Sequence, residues 1–294
     1  MAQRFVRDDA SVKESVLDMI TQISPTENYF LSNLQRSTGN DEFHIVPRDT
    51  LRTPALVAGV EGADPSYDGN DPTTLLNMMH IVSVGFEVTD TEAAADRYGS
   101  PEDRIAYETD KALKDWGDFA EFALVRSTII TGNNSTARQM RGLKASLSIV
   151  TTQSAISWSE AGMGDNLAAV WAQGANVDVI AAPLVLKRRI SGYSGGGTKF
   201  YNQDDKRLVT PIEIYESDAS SKPIKLVTHR YVTSGDTNND IMGVEMDHFA
   251  TAWLREAKVR PLAKTGDAEK RQVIGEFTLE ARNQYAGFLA KNVL

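Results

Sequence analysis

Apolar and polar positions recur with two different periods along this chain, and the changes of period mark its elements. From Ser100 onward, "SPEDRIAYETDKALKDWGDFAEFALVRS" places Ile105, Leu113, Trp116, Ala120 and Ala123 at helical spacing. Ser100 is placed as an N-cap, Pro101 at the first helical position, and Glu102 and Asp103 at the positive helix end. The spacing predicts a helix over 100–128, about seven turns and roughly 40 Å long at 1.5 Å per residue. A helix of that length is usually a structural spine.

Period-two patterns flank it. "EFHIVPRDTL" and "MMHIVSVGFEV" read as strands bracketing the turn-rich stretch "GVEGADPSYDGNDP", so residues 41–88 look like a long β-hairpin with a polar tip. An isolated hairpin is marginal in water, so this one packs on a neighbouring subunit or folds back over its own domain. Near the other end, "VIGEFTLEARN" alternates: Phe277, Leu279 and Ala281 fall on one face, Glu276, Thr278, Glu280 and Arg282 on the other. Between 151 and 240, "GDNLAAVWAQG" and "LVLKRRIS" read as helices. "VDVIAAP" reads as a buried strand, "LVTPIEIYES" and "IKLVTHRYV" as two more, and 243–255 as a further one. The first thirty residues carry one short amphipathic stripe, Val12, Val16, Ile20 and Ile23, and Phe30, Leu31 and Leu34 begin another after Pro25. Helices and strands mix without a strict βαβ rhythm, so the class is α+β.

Composition narrows the role. The 294 residues suffice for a sizeable core. Thirty-one basic against forty acidic residues, net −9, disfavour a chain that grips nucleic acid. The absence of cysteine excludes disulfides, thiolate metal sites and thiol catalysis. The first residues lack the apolar run of a signal peptide, and no stretch approaches a membrane span, so no membrane partner is expected.

Candidate chemistry is thin. Gly192-Tyr193-Ser194-Gly195-Gly196 satisfies the G-x-S-x-G pattern of a hydrolase nucleophile elbow, and Asp218 and His229 follow in acid-then-base order. That elbow needs a strand before the serine and a helix after it. Here a helix-like segment precedes, and "GGGTKFYNQDD" forms helix poorly. A phosphate-loop reading fails because Thr198-Lys199 reverses the required order. The histidines His44, His80, His229 and His248 are scattered without metal-ligand spacing. Lys187-Arg188-Arg189 reads as a solvated helix end or an inter-subunit contact. No catalytic residue, cofactor or metal site is expected, and the chain reads as a non-enzyme; a serine hydrolase using Ser194 is the alternative.

The order of elements resembles the major capsid proteins of tailed bacteriophages, with the Hong Kong 97-type fold. "DMITQISPTENYFLSNL" looks like that family's arm before its extended loop. "RPLAKTGDAEKRQVIGEFTLEARNQYAGFLAKN" is similar to the C-terminal segment of one branch of phage head proteins, and is the most specific part. The resemblance implies an N-terminal arm over 1–40 and an extended loop over 41–88. It implies a peripheral domain from 89–150 and 240–294 holding the spine helix, and an axial domain over 151–239. The implied function is a shell subunit that assembles into hexamers and pentamers of an icosahedral head around double-stranded DNA. The DNA is then a non-specific content, and scaffolding, portal and decoration proteins are the further implied partners. The chain would be made in the host cytoplasm and reside in the virion. An encapsulin-like compartment subunit is the alternative on the same fold.

Candidate inter-subunit contacts are Tyr67, Asp68 and Asn70 at the loop tip, with Tyr193 and Lys199 in the glycine-rich loop and Arg188 beside it. The prototype's crosslink uses an extended-loop lysine, and no lysine lies between Lys13 and Lys111. An isopeptide through that loop therefore cannot form. The short arm leaves no room for a large cleaved scaffolding domain.

Overall fold

The computed structural model describes residues 28–52, 54–56, 58–62, 64, 69–95, 104–152, 158–192, 201–202, 207–208, 214–215, 223–233, 239–264 and 266–293. The Val12–Ile23 stripe, the predicted cap at Ser100–Asp103, and Ser194 and Asp218 lie outside these residues. In chain order the first elements are α1 (Tyr29–Asn33), β1 (Gln35–Thr38), β2 (Phe43–Arg48), β3 (Thr73–Met78), β4 (His80–Thr89) and α2 (Asp90–Ala94). The spine α3 (Arg104–Arg126) follows, then α4 (Leu143–Ser146), β5 (Ile149–Thr152), α5 (Glu160–Ala172), β6 (Val179–Ala182) and α6 (Leu184–Ile190). Three short strands come next: β7 (Tyr201–Asn202), β8 (Arg207–Leu208) and β9 (Ile214–Tyr215). The chain closes with β10 (Ile224–Thr228), β11 (Asn239–Val244), β12 (Phe249–Pro261), β13 (Ala268–Ala281) and β14 (Gly287–Val293).

Two sheets organise these elements into an α+β fold. The first has the order β1-β12-β13-β4, with β1 parallel to β12 and the other pairs antiparallel. The second has the order β5-β14-β11-β6-β10-β9, with parallel pairs β5–β14 and β6–β10. Helix α3 lies on the first sheet because its Ala112, Trp116, Ala120, Ala123 and Leu124 form one buried stripe. Its 23 residues span about 35 Å at 1.5 Å per residue. Trp116 fixes its height on the sheet: the indole Nε1–H donates to the Val82 carbonyl at 2.9 Å. The ring lies over Gly275 of β13, where an added Cβ would come within 2.6 Å of it. Trp253 stacks on Phe277 beside it with centroids 5.0 Å apart.

The structure departs from the sequence pattern in three places. First, the return strand of the hairpin is β3, which ends at Met78; "MMHIVSVGFEV" crosses into β4 instead. β4 pairs with β13 over ten residues, from His80 opposite Phe277 to Thr89 opposite Ala268. That ladder is longer than the six-residue β2–β3 ladder. Second, the polar face of β13 is not solvated: Glu276 and Thr278 are buried because the β2–β3 hairpin covers them. Third, the strand read over 243–255 is two strands, β11 and β12, separated by a short 3-10 turn at Met246–His248 and placed in different sheets. The fully buried Ile241, Met242 and Val244 give β11 no open edge or face, so β6 and β14 flank it. β11 and β14, expected from the sequence beside the spine, thereby complete the sheet built by β5, β6, β9 and β10.

The Trp116–Gly275 contact yields a first prediction. Trp116→Ala should lower the stability of the unassembled subunit by about 3–5 kcal/mol in urea denaturation. Gly275→Val should cost about 1–3 kcal/mol by forcing helix and strand apart. An unchanged denaturation midpoint for both variants would show that this packing does not set the helix position.

Candidate assembly surfaces

The hairpin has two unlike faces. Alternation along β2 turns His44, Val46 and Arg48 toward β13 and leaves Phe43 and Ile45 outward. On the inner side His44 Nε2 lies 3.2 Å from Glu280, and Arg48 donates to the Ala281 carbonyl at 2.7 Å and to Gln284 at 3.1 Å. Asn77 of β3 is buried beneath the hairpin. Its amide donates to the carbonyls of Leu279 and Arg141, and its oxygen accepts from the Arg141 and Met78 N–H groups. Glu280 also accepts from Ser37 at 2.6 Å and from Arg282 at 2.8 Å. Burial opposes its charge, but the Ser37 and Arg282 hydrogen bonds and the nearby His44 hold its carboxyl below the ordinary value of 4.5. At the hairpin's other end Arg138 donates to the Met79 carbonyl and pairs with Glu276 and Glu42, while Arg255 pairs with Glu276 from β12. The root of the hairpin is therefore clamped to its own sheet by polar groups.

Outward, Phe43, Ile45 and Leu76 form an exposed apolar stripe. Beyond Arg48 and Thr73 the two limbs leave the sheet. Asn70 donates to the Thr50 carbonyl at 2.9 Å and braces the limbs against each other. Leu51 (97% exposed), Leu56 and Val60 (81%) stand in solvent. Three such apolar residues on one projecting arm have no partner surface within the described chain.

A second constellation lies where three distant stretches meet. Glu121 of α3 is fully buried and accepts the Phe30 and Leu31 backbone N–H groups, both at 2.7 Å, so it caps α1 from another helix. Its Oε1 also faces His229 Nε2 at 2.9 Å. The Tyr231 N–H points to His229 Nδ1 at 3.3 Å, which makes Nε2–H the donor to Glu121. The His229 ring packs on Phe30 and Tyr231, and Tyr231 on Phe122. The residue read from sequence as a conceivable hydrolase base is thus sealed from solvent and held by a carboxylate from the spine.

Of the expected contact residues, Tyr67, Asp68, Tyr193 and Lys199 lie outside the described residues. Arg188 is exposed on the last turn of α6, and Asn70 sits on the arm. Glu121, Asn77 and Arg138 were missed; the one available signal was a carboxylate inside the apolar run "DFAEFALV". Among the described residues there is no cluster of metal-binding side chains, and no helix is long and apolar enough to cross a membrane.

The family described as SU10 major capsid protein matches residues 2–294, nearly the whole length. The chain belongs to that family. Solved structures of capsid proteins share its Hong Kong 97-type fold at low sequence identity. The cyanophage A-1(L) capsid protein is 13% identical with a TM-score of 0.70, covering 96% of this chain and 97% of its own. The Gordonia phage Cozz protein is 13% identical with a TM-score of 0.64, covering 96% and 91%. The holo-SrpI encapsulin of Synechococcus elongatus PCC 7942 is 13% identical with a TM-score of 0.63, covering 100% and 96%. No curated protein matches. As a major capsid protein the chain is a structural component of a virion shell built from many subunits.

Two outcomes are expected for this capsid protein's clamps. Glu121→Ala strands the buried Phe30 N–H, the part-buried Leu31 N–H and His229, and should cost about 3–5 kcal/mol in denaturation of the subunit; a loss under about 1 kcal/mol would remove Glu121 from the load path. Separately, burial keeps His80 below its ordinary value of 6.5, against a hydrogen bond to the Arg138 backbone that favours the charged ring and with the Arg138 charge opposing that form. The unfolded chain therefore takes up this proton first, and stability falls as pH drops below about 6.5. His80→Gln should flatten the melting-temperature profile between about pH 6.5 and 5; an unchanged slope would assign the acid sensitivity elsewhere.

Proposed function

We propose that this major capsid protein assembles into hexamers and pentamers of an icosahedral head that encloses double-stranded DNA, after synthesis in the host cytoplasm. The observation that carries the reading is the arm: Leu51, Leu56 and Val60 are exposed on a projection whose root is clamped to its own sheet. A subunit that spends apolar area this way recovers it on a neighbour, at about 25 cal/mol per Å² buried. In this reading residues 41–88 reach over the adjacent subunit and 151–239 face the five- and six-fold centres. The spine region forms the periphery, and 1–40 act as an arm. Tyr67, Asp68 and Asn70 belong to the reaching loop; Tyr193, Lys199 and Arg188 belong to the axial contacts.

The net charge of −9 supports a shell that holds DNA without adhering to it. Scaffolding, portal and decoration proteins are further partners in this reading. An encapsulin-like compartment is the other occupant of this fold, and contents separate the two: nuclease-protected nucleic acid in native particles favours the head, and packed protein cargo favours the compartment.

The particle mass of the recombinant protein, with negative-stain images of the same sample, tests the proposal. Shells, or rings of five and six, are expected. Replacing residues 51–70 by a short Gly-Ser linker should leave the subunit folded and abolish closed shells. Intact shells without the arm would overturn its role.

A further inference from the structure

Resting on the shell reading, we infer that the arm of one subunit docks by charge on the open outer face of another subunit's four-stranded sheet, around Lys258 and Arg260. The ladder registers define that face. Opposite Ile274 of β13 lie Lys258 on β12 and Ser83 on β4, and opposite Gln272 lie Arg260 and Gly85. Alternation puts these side chains on the face away from α3, the face that the hairpin root covers farther along β13. Here no described residue covers it: Lys258, Arg260, Ser83 and Gly85 are all exposed. The neighbouring cations are answered within the chain, Arg255 by Glu276 and Lys270 by Glu87. The side chains of Lys258 and Arg260 make no hydrogen bond or ion pair with any described residue. Among the described residues, an acidic chain thus presents two unanswered cations on an exposed strand surface.

The complementary surface is on the same polypeptide. Residues 49–72 carry five carboxylates against one arginine and no lysine. Glu61, Asp64 and Asp71 among them are exposed, next to the exposed Leu56 and Val60. The half-buried Ile274 and exposed Ile81 supply apolar ground beside the two cations.

Within the described chain the arm and this face do not meet. The hairpin runs from Arg138 and Glu276 at its Met78 end to Ala281 and Gln284 at its Arg48 end. Its arm therefore departs from the end of β13 opposite to Gln272. Gln272 and Ala281 are about 30 Å apart at 3.3–3.4 Å per strand residue, and Glu61, Asp64 and Asp71 stand exposed, away from any ion pair with a described residue. In this inference a second copy's arm therefore comes to Lys258 and Arg260. The contact joins unlike surfaces of two identical chains, the head-to-tail arrangement that closes into rings.

The full-length chain tests this at low salt, where exposed charge pairs are screened least. Wild type, Lys258→Glu/Arg260→Glu, and that variant combined with Glu61→Lys/Asp64→Lys are compared for assembled fraction by sedimentation. Thermal denaturation confirms that each subunit is folded. The reversal at 258 and 260 should cut the assembled fraction by about tenfold or more, and reversal of the arm should restore it to within about twofold of wild type. Because the chain has no cysteine, Lys258→Cys with Asp64→Cys should give disulfide-linked species of two or more chains. Normal assembly of the first variant, or loss without rescue and without the interchain disulfide, overturns the inference while the shell reading stands. Normal assembly together with weakened retention of duplex DNA in a filter assay would assign the face to nucleic acid and also overturn it. A wild-type chain that never assembles removes the shell reading and this inference with it.

Discussion

Burial of the Gly275–Ala281 half of β13 on both faces is the constraint from which the rest of this subunit follows. One face meets α3 through Trp116, Gly275 and Phe277; the other lies under the root of the hairpin. A strand buried on both sides normally reads as a continuous apolar run, yet this one keeps Glu276, Thr278 and Glu280. Two of these are carboxylates, and each is answered: Glu276 by Arg138 and Arg255, Glu280 by Ser37, His44 and Arg282. The cost of burying charge is offset only when the geometry of such pairs is good. Those pairs come from β1, β2, β12 and the segment after α3, so satisfying the strand also fixes the hairpin root and the direction in which the arm leaves.

Glu121 plays the same part between the two sheets. It ties α1 and the turn after β10 to the middle of the spine, joining stretches that no local pattern relates. Polar networks of this kind are demanding. Fully satisfied they specify one arrangement; partly satisfied they destabilise it. In a subunit that makes many identical contacts, a small tilt between sheets would be repeated at every copy, so a stiff internal joint is valuable.

How much of this could be read from the sequence depends on distance along the chain. The spine was legible because Trp116, Ala120 and Ala123 repeat within a few turns, although Leu113, read into the same stripe, is exposed and Ala112 is buried in its place. The two-stranded arm was legible because its turn residues sit between two apolar runs. The crossing at Met79 was not, since Thr73–Met78 and His80–Thr89 have similar composition and only their partners differ. The sharing of β11 and β14 with β5 and β6 was hidden for the same reason: strand pairing is a long-range choice that leaves no local trace. The polar face of β13 misled because alternation marks which residues share a face, not what lies over it. Glu121 carried a faint signal, a charge within an apolar stretch, without any indication of its partners.

The parallel pair β1–β12 has a consequence for how the subunit comes into being. Gln35 and Thr251, joined by a hydrogen bond, are 216 residues apart, and α1 is seated by Glu121 and by the His229 turn. The segment synthesised early is therefore the one completed late, after most of the chain has left the ribosome. Contacts of such long sequence separation form slowly. Until then the outermost strand of the first sheet is missing and β12 has an open edge. A nascent chain cannot present its finished contact surfaces, so competence to join a shell arises as a single late event in folding.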